Sequence, residues 1–204
     1  MKNILVKGLI ASSLFASAVF AEGAFVGVFG GYNDNSEMEY KGYGLKSKFD
    51  DKMPVMGIKG GYDFGNFRVY EAYQYSFKGT FKNDKYKIDG DYYDIETNWK
   101  IHDFITGFDF TPEISSVFKP VLGVYAGFSI LDYDFVVAQL QDDKEEGTRG
   151  GFIYGAKLGG AFEVAENSEI EVGYKIDQSR YAKVDDIKMK NSKRGAYLGI
   201  NYKF

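Results

Sequence analysis

The sequence predicts an all-β chain that closes as an eight-stranded antiparallel transmembrane up-and-down β-barrel. Three observations predict it: apolar residues recur with a period of two in segment after segment, short and long connections alternate, and the composition favours strands. The 204 residues include 17 Tyr, 18 Phe and 25 Gly but only 3 Pro. Glycine is thus about 12% of the chain against a usual ~7%. Aromatic, strand-forming residues in this proportion speak against a helical bundle and against disorder.

Composition also excludes several kinds of chemistry. A formal charge of −4 leaves no electrostatic footprint for nucleic acid. With no Cys there are no disulfides, no Cys-ligated zinc or iron–sulfur clusters and no thiol catalysis. The single His leaves little material for imidazole-based metal or triad chemistry.

The chain opens with an address. Lys2 and Lys7 supply a positive n-region, 8–20 is uncharged and mostly apolar, and Val19-Phe20-Ala21 fits the small-residue cleavage rule. Residues 1–21 are therefore expected to be a signal peptide and 22–204 the barrel domain. Cleavage leaves 183 residues with 23 basic against 29 acidic side chains, a net of −6. No later apolar run approaches the ~18 residues of a transmembrane helix.

Eight strands follow. The first four are expected at 24–32, 55–64, 67–77 and 98–110. In 118–130, Phe118, Pro120, Leu122, Val124, Ala126, Phe128 and Ile130 share one face, opposite Lys119, Val121, Gly123, Tyr125, Gly127 and Ser129. Segments 152–164 and 169–176 repeat the pattern, and 195–204 closes it with Ala196, Leu198, Ile200, Tyr202 and Phe204. One conflict arises at the second turn. A two-residue turn at Gly65-Asn66 puts Glu71 on the apolar face, where a charge is costly, so a different register or a bulge near Arg68 is expected.

Segments 65–66, 111–116 and 165–168 read as short turns, whereas 33–53, 78–97, 132–150 and 182–193 read as long polar loops. Within the second, Asp89-Gly90 reads as a hairpin turn, and that hairpin is expected to continue beyond the membrane. Short turns on one side and long loops on the other are the build of outer-membrane barrels. Lipid, not the lumen, is the partner expected for the apolar faces. Eight strands enclose only enough room for side chains, which suits the Gly-rich face, while the bulky face needs a larger partner. Phe64, Phe110, Phe118, Phe162 and Tyr202 are then expected to form an aromatic girdle near the short turns.

The signal peptide, the eight alternating segments and the ending from Arg194 to Phe204 resemble bacterial outer-membrane β-barrel proteins, above all small OmpA/OmpX-type and opacity-protein-like barrels. The resemblance covers 22–204 and departs from full-length OmpA-type proteins in having no peptidoglycan-binding domain after Phe204. It implies a place in the cell outer membrane, among lipid and lipopolysaccharide. It also implies that Tyr202 and Phe204, on the closing strand, form the signal read by the barrel-assembly machinery during insertion.

No catalytic, cofactor or metal site is expected. Parity places His102 on the lipid face near the outer interface, where some barrel enzymes acting on lipid A carry a His beside a Ser, but no Ser lies at i+2. Lys59, Asp63, Asp103, Asp109, Lys119, Lys157, Glu163, Glu169, Glu171, Lys175, Asp177 and Lys203 are expected inward. Paired carboxylates can do acid–base work, but these alternate with lysines in a lumen too narrow for a substrate, so a salt-bridged plug is expected. Segment 132–150 carries six acids (Asp132, Asp134, Asp142, Asp143, Glu145, Glu146) against Lys144 and Arg149, a solvated run without EF-hand spacing. The role expected is structural or surface-interacting, through four long extracellular loops. A narrow porin or conduit for small hydrophobic molecules is the alternative.

Overall fold

A computed structural model describes residues 23–42, 45–88, 91–137, 144–184 and 187–204. The signal segment 1–21, the Asp89-Gly90 turn, and Asp142 and Asp143 of the acidic run lie outside the described residues. Eight strands are present: β1 (Ala24–Gly42), β2 (Leu45–Asp63), β3 (Phe67–Ile88), β4 (Asp91–Phe110), β5 (Phe118–Val137), β6 (Lys144–Ala165), β7 (Ser168–Tyr181) and β8 (Lys188–Lys203). They close in sequence order, with β1 pairing antiparallel to both β2 and β8. Closure leaves no edge through the spanning region, so each backbone amide there finds its partner on a neighbouring strand.

The Gly-rich face points inward and the bulky apolar face outward. Val28, Ile58, Val124, Leu158, Leu198 and Ile200 are all more than half exposed, whereas Lys59, Asp109, Lys157 and Glu171 are buried. Aromatic rings mark the short-turn end. Tyr62 and Phe64, Phe67 and Phe110, Phe118 and Phe162, and Tyr202 and Phe204 pair with ring centroids 4.6–5.4 Å apart.

Two expectations are overturned. The described parts of segments 33–53, 78–97 and 132–150 are strands, not loops; pairing runs from Asn33 to Gly42↔Leu45, from Gly79 to Ile88↔Asp91, and from Leu131↔Arg149 to Val136↔Lys144. Of the fourth segment, 182–193, β8 takes the part from Lys188 onward, and a Val184↔Ile187 bridge lies just before it. Strands of up to 22 residues far exceed the ~9–11 needed to span a bilayer. At ~2.5 Å of height per residue (a ~3.3 Å rise tilted by ~40°), they rise roughly 20 Å or more above an apolar band ~25 Å tall.

The long segments looked like loops because their sidedness reverses. Within the apolar band polar groups point in; above it they point out, and the inside becomes apolar. Met38, Met53, Trp99, Ile101, Leu131 and Tyr181 form one buried cluster there, with Phe49, Phe81, Tyr133 and Met189 packed against it. The outside turns polar at the same level: Phe104 gives way to Lys100 on β4, Ile130 to Asp132 on β5, and Ala196 to Arg194 on β8. Water has replaced lipid as the outer medium, and burial then favours apolar side chains inside by about 1.5–3 kcal/mol each. Bulges between Asn33 and Ser36 on β1 and between Ser76 and Gly79 on β3 sit at this boundary and re-aim the following residues inward.

The second correction concerns Glu71. No bulge or register change occurs near Arg68. Phe64 N–H donates to the Phe67 carbonyl at 2.7 Å, Gly65 adopts φ +89°, which a glycine accommodates without strain, and Asp63 pairs with Arg68. The tight turn thus fixes the parity that sends Arg68 into the lumen and Glu71 onto the outer face. Arg68 gains two carboxylate partners inside, which keeps this register favourable despite Glu71.

Candidate functional site

The membrane-level lumen gathers charge from all strands except β1. Two linked clusters make up its lower half. In the first, Glu171 on β7 accepts from Lys59 Nζ at 2.6 Å, Lys157 Nζ at 3.0 Å and the Tyr197 hydroxyl at 2.8 Å. Lys157 also lies 2.8 Å from Asp109 Oδ2. In the second, the Arg68 guanidinium meets both oxygens of Glu169 end-on, Nη2 to Oε2 at 2.6 Å, and its Nε donates to Asp63 at 3.0 Å. Asn201 joins the two by donating to Glu169 at 2.7 Å and to Glu171 at 3.3 Å. Bidentate and multiply bonded geometry of this kind is what a buried ion pair needs to offset its desolvation.

Lys203 closes the lower rim, 3.2 Å from Glu169, 3.4 Å from Asp63 and 3.4 Å from Glu163. Lys119 reaches Glu163 at 3.1 Å. Higher up, Lys193 lies 2.6 Å from Asp103 and 3.3 Å from Asp177, and Asp103 also accepts from Gln74 at 3.0 Å and Ser129 at 2.6 Å. Asp177 accepts from the Tyr125 hydroxyl at 3.0 Å. Lys175 donates to the Gln74 amide oxygen and lies over the Phe29 ring.

All twelve residues expected inward lie on the lumen face, in a lower group around Glu169 and Glu171 and an upper group around Asp103 and Asp177. Two members stand outside the expected set. Arg68 lies where a bulge or a different register is expected, although the Gly65-Asn66 turn alone carries its parity. Lys193 falls in the expected loop 182–193, although the alternation Tyr197, Gly195, Lys193 reaches it. Large side chains occupy the space opposite glycines: the Tyr70 ring lies across Gly107, Tyr125 across Gly155 and Lys157 across Gly123. Among them lies a cavity of about 40 Å³ bordered by Lys59, Tyr70, Tyr125, Lys157, Lys175 and Tyr197. That is room for a few water molecules.

His102 is on the outer face, as parity predicts. The Tyr73 hydroxyl lies 2.7 Å from its Nδ1, and Asp132 Oδ2 lies 3.7 Å from its Nε2. Asp132 in turn accepts from the Thr148 hydroxyl at 2.6 Å. These groups cap one another at the upper edge of the apolar band. Among the described residues, no group of three or more acidic or His side chains is arranged to hold a metal ion.

No protein-family model and no curated protein matches the chain. Solved structures do share its fold. It is similar to Neisserial surface protein A (18% identity, 89% of this chain and 97% of that one, TM-score 0.54). The outer membrane protein OprG from Pseudomonas aeruginosa also resembles it (16% identity, 90% and 97% covered, TM-score 0.51). So does the outer membrane protease OmpT from Escherichia coli (10% identity, 88% and 97% covered, TM-score 0.53).

Proposed function

We propose that the chain is an integral protein of the cell outer membrane, a closed barrel embedded among lipid and lipopolysaccharide that holds its tall hairpins outward for structural or surface contacts. The observation that carries this reading is the lumen. Its charges are spent on one another, and the small size of the cavity among them, about 40 Å³, supports a lumen closed to solutes. The outward apolar band with its aromatic girdle supports the membrane placement, and three outer-membrane proteins share the architecture. A shared fold carries no catalytic inference, and the reading assigns the chain no enzymatic role.

Conductance tests the closed lumen. Purified protein in planar bilayers is expected to show little steady current, and Lys157→Ala, which leaves Asp109 and Glu171 short of a cation, is expected to admit brief leaks. Large, stable, ohmic conductance from the unmodified protein would overturn the reading in favour of a narrow porin or conduit for small hydrophobic molecules.

Recognition by the barrel-assembly machinery is the second part of the proposal. Phe204 N–H donates to the Ala24 carbonyl at 2.9 Å, and its ring sits 5.1 Å from that of Tyr202. The closing strand thus presents two outward aromatics at the seam with β1. Deleting Phe204 is expected to lower the yield of folded barrel in the outer membrane. Unchanged heat-modifiable gel migration and unchanged surface labelling would refute the assembly role.

A further inference from the structure

Among the described residues, Glu71 is the one acidic or basic side chain that points outward between the aromatic girdle and the polar outer boundary. It stands four residues above Phe67, at a height of roughly 10 Å in a band ~25 Å tall. An ionisable group at this depth marks a functional site rather than an ordinary lipid contact. Thr106 on β4 donates to Glu71 Oε1 at 2.7 Å. That bond orients the carboxyl and leaves Oε2 with no hydrogen-bond partner among the described residues.

Hydrocarbon offers Oε2 nothing, and headgroups lie too far along the barrel in either direction for so short a side chain. The surface around it is built for close approach. Register aligns Glu71, Thr106 and Ala126 in one row across three strands, a low strip where another backbone can come near. Phe67 and Phe108, 5.5 Å apart, form a ridge below it, and Tyr73 and Phe104, 5.2 Å apart, a ridge above.

We propose that this β3–β4 face is where two copies of the chain pair inside the membrane, through their Glu71 carboxyls. The inference rests on the membrane placement proposed above. A two-fold axis along the barrel axis keeps depth constant, so it sets Glu71 against Glu71. The carboxyl group is its own hydrogen-bonding complement, since a C=O of one can accept from an O–H of the other. The remainder of the surface at this level is apolar, with Val28, Ile58, Val124, Leu158 and Leu198 exposed. Within this chain's own surface, the same face of a second copy supplies the matching carboxyl.

The absence of Cys makes single-Cys cross-linking clean. Val69→Cys, two residues from Glu71 on the same face, and Leu158→Cys, across the barrel, are oxidised in native outer membranes and in phospholipid vesicles. Heat-modifiable migration is read in parallel. A disulfide-linked dimer is expected from Val69→Cys in at least tenfold excess over Leu158→Cys. It is expected to persist with Glu71→Gln, whose amide still donates and accepts, and to fall to the Leu158→Cys level with Glu71→Leu. Folded, inserted protein with no excess at Val69 overturns the pairing while leaving the membrane placement standing. So does an excess that survives Glu71→Leu, or cross-linking to a different polypeptide. Variants and unmodified protein that all fail to enter vesicles overturn both.

Discussion

Replacing Glu171 with Leu is expected to cost about 3–5 kcal/mol of folding stability, because it leaves buried cations without their carboxylate. Glu171 is fully buried and accepts from Lys59, Lys157, Tyr197 and Asn201. Lys157 keeps Asp109 at 2.8 Å, so the damage falls mainly on Lys59, whose one ion-pair partner among the described residues is Glu171. Pairing Glu171→Leu with Lys59→Met removes that stranded charge and is expected to recover a large part of the loss. The check is a urea titration of folding in lipid vesicles for both single variants and the double variant. A Glu171→Leu midpoint equal to that of the unmodified protein would show that the network contributes nothing to the fold.

Val124→Arg is expected to cost about 2–4 kcal/mol in the same titration, the penalty for a cation near mid-bilayer on the lipid face. Val124 is 58% exposed and stands six residues above Phe118 in the girdle. Its neighbour Gly123 faces the other way and answers to a different cost. A Cβ there would clash with Asp109 Oδ1 and sit 2.7 Å from Lys157 Cε. Gly123→Ala is therefore expected to cost about 1–3 kcal/mol through overpacking. The two effects differ in kind: the first depends on lipid outside, the second on volume inside. A vesicle titration in which Val124→Arg folds as well as the unmodified protein would refute the assignment of inside and outside.

Within the bilayer band the sequence determined the strand positions and their sidedness. Alternation is local: each strand between two dissimilar media must separate its residues by parity, so Val124 and Gly123 disclose their faces without knowledge of any neighbour. The same rule misled above the band. There Met38, Phe49 and Met53 alternate with charges as regularly as any membrane strand, but the outer medium is water and the meaning of the pattern is reversed. Nothing within a single strand records which medium lies outside it.

Tertiary structure alone decided who meets whom. Lys59 and Glu171 lie 112 residues apart in sequence, and Arg68 and Glu169 lie 101 apart. Parity puts each of them inward, but their pairing depends on the register of every ladder and on the closure of β1 against β8. It likewise decided the conflict at Glu71. The sequence poses a choice between a tight Gly65-Asn66 turn and a strand free of lipid-facing charge. Closure resolves it, because the inward Arg68 meets Glu169 and Asp63 only in the register that sends Glu71 out. A local penalty on the outer face is accepted where the lumen's ion pairs, made across the barrel, outweigh it.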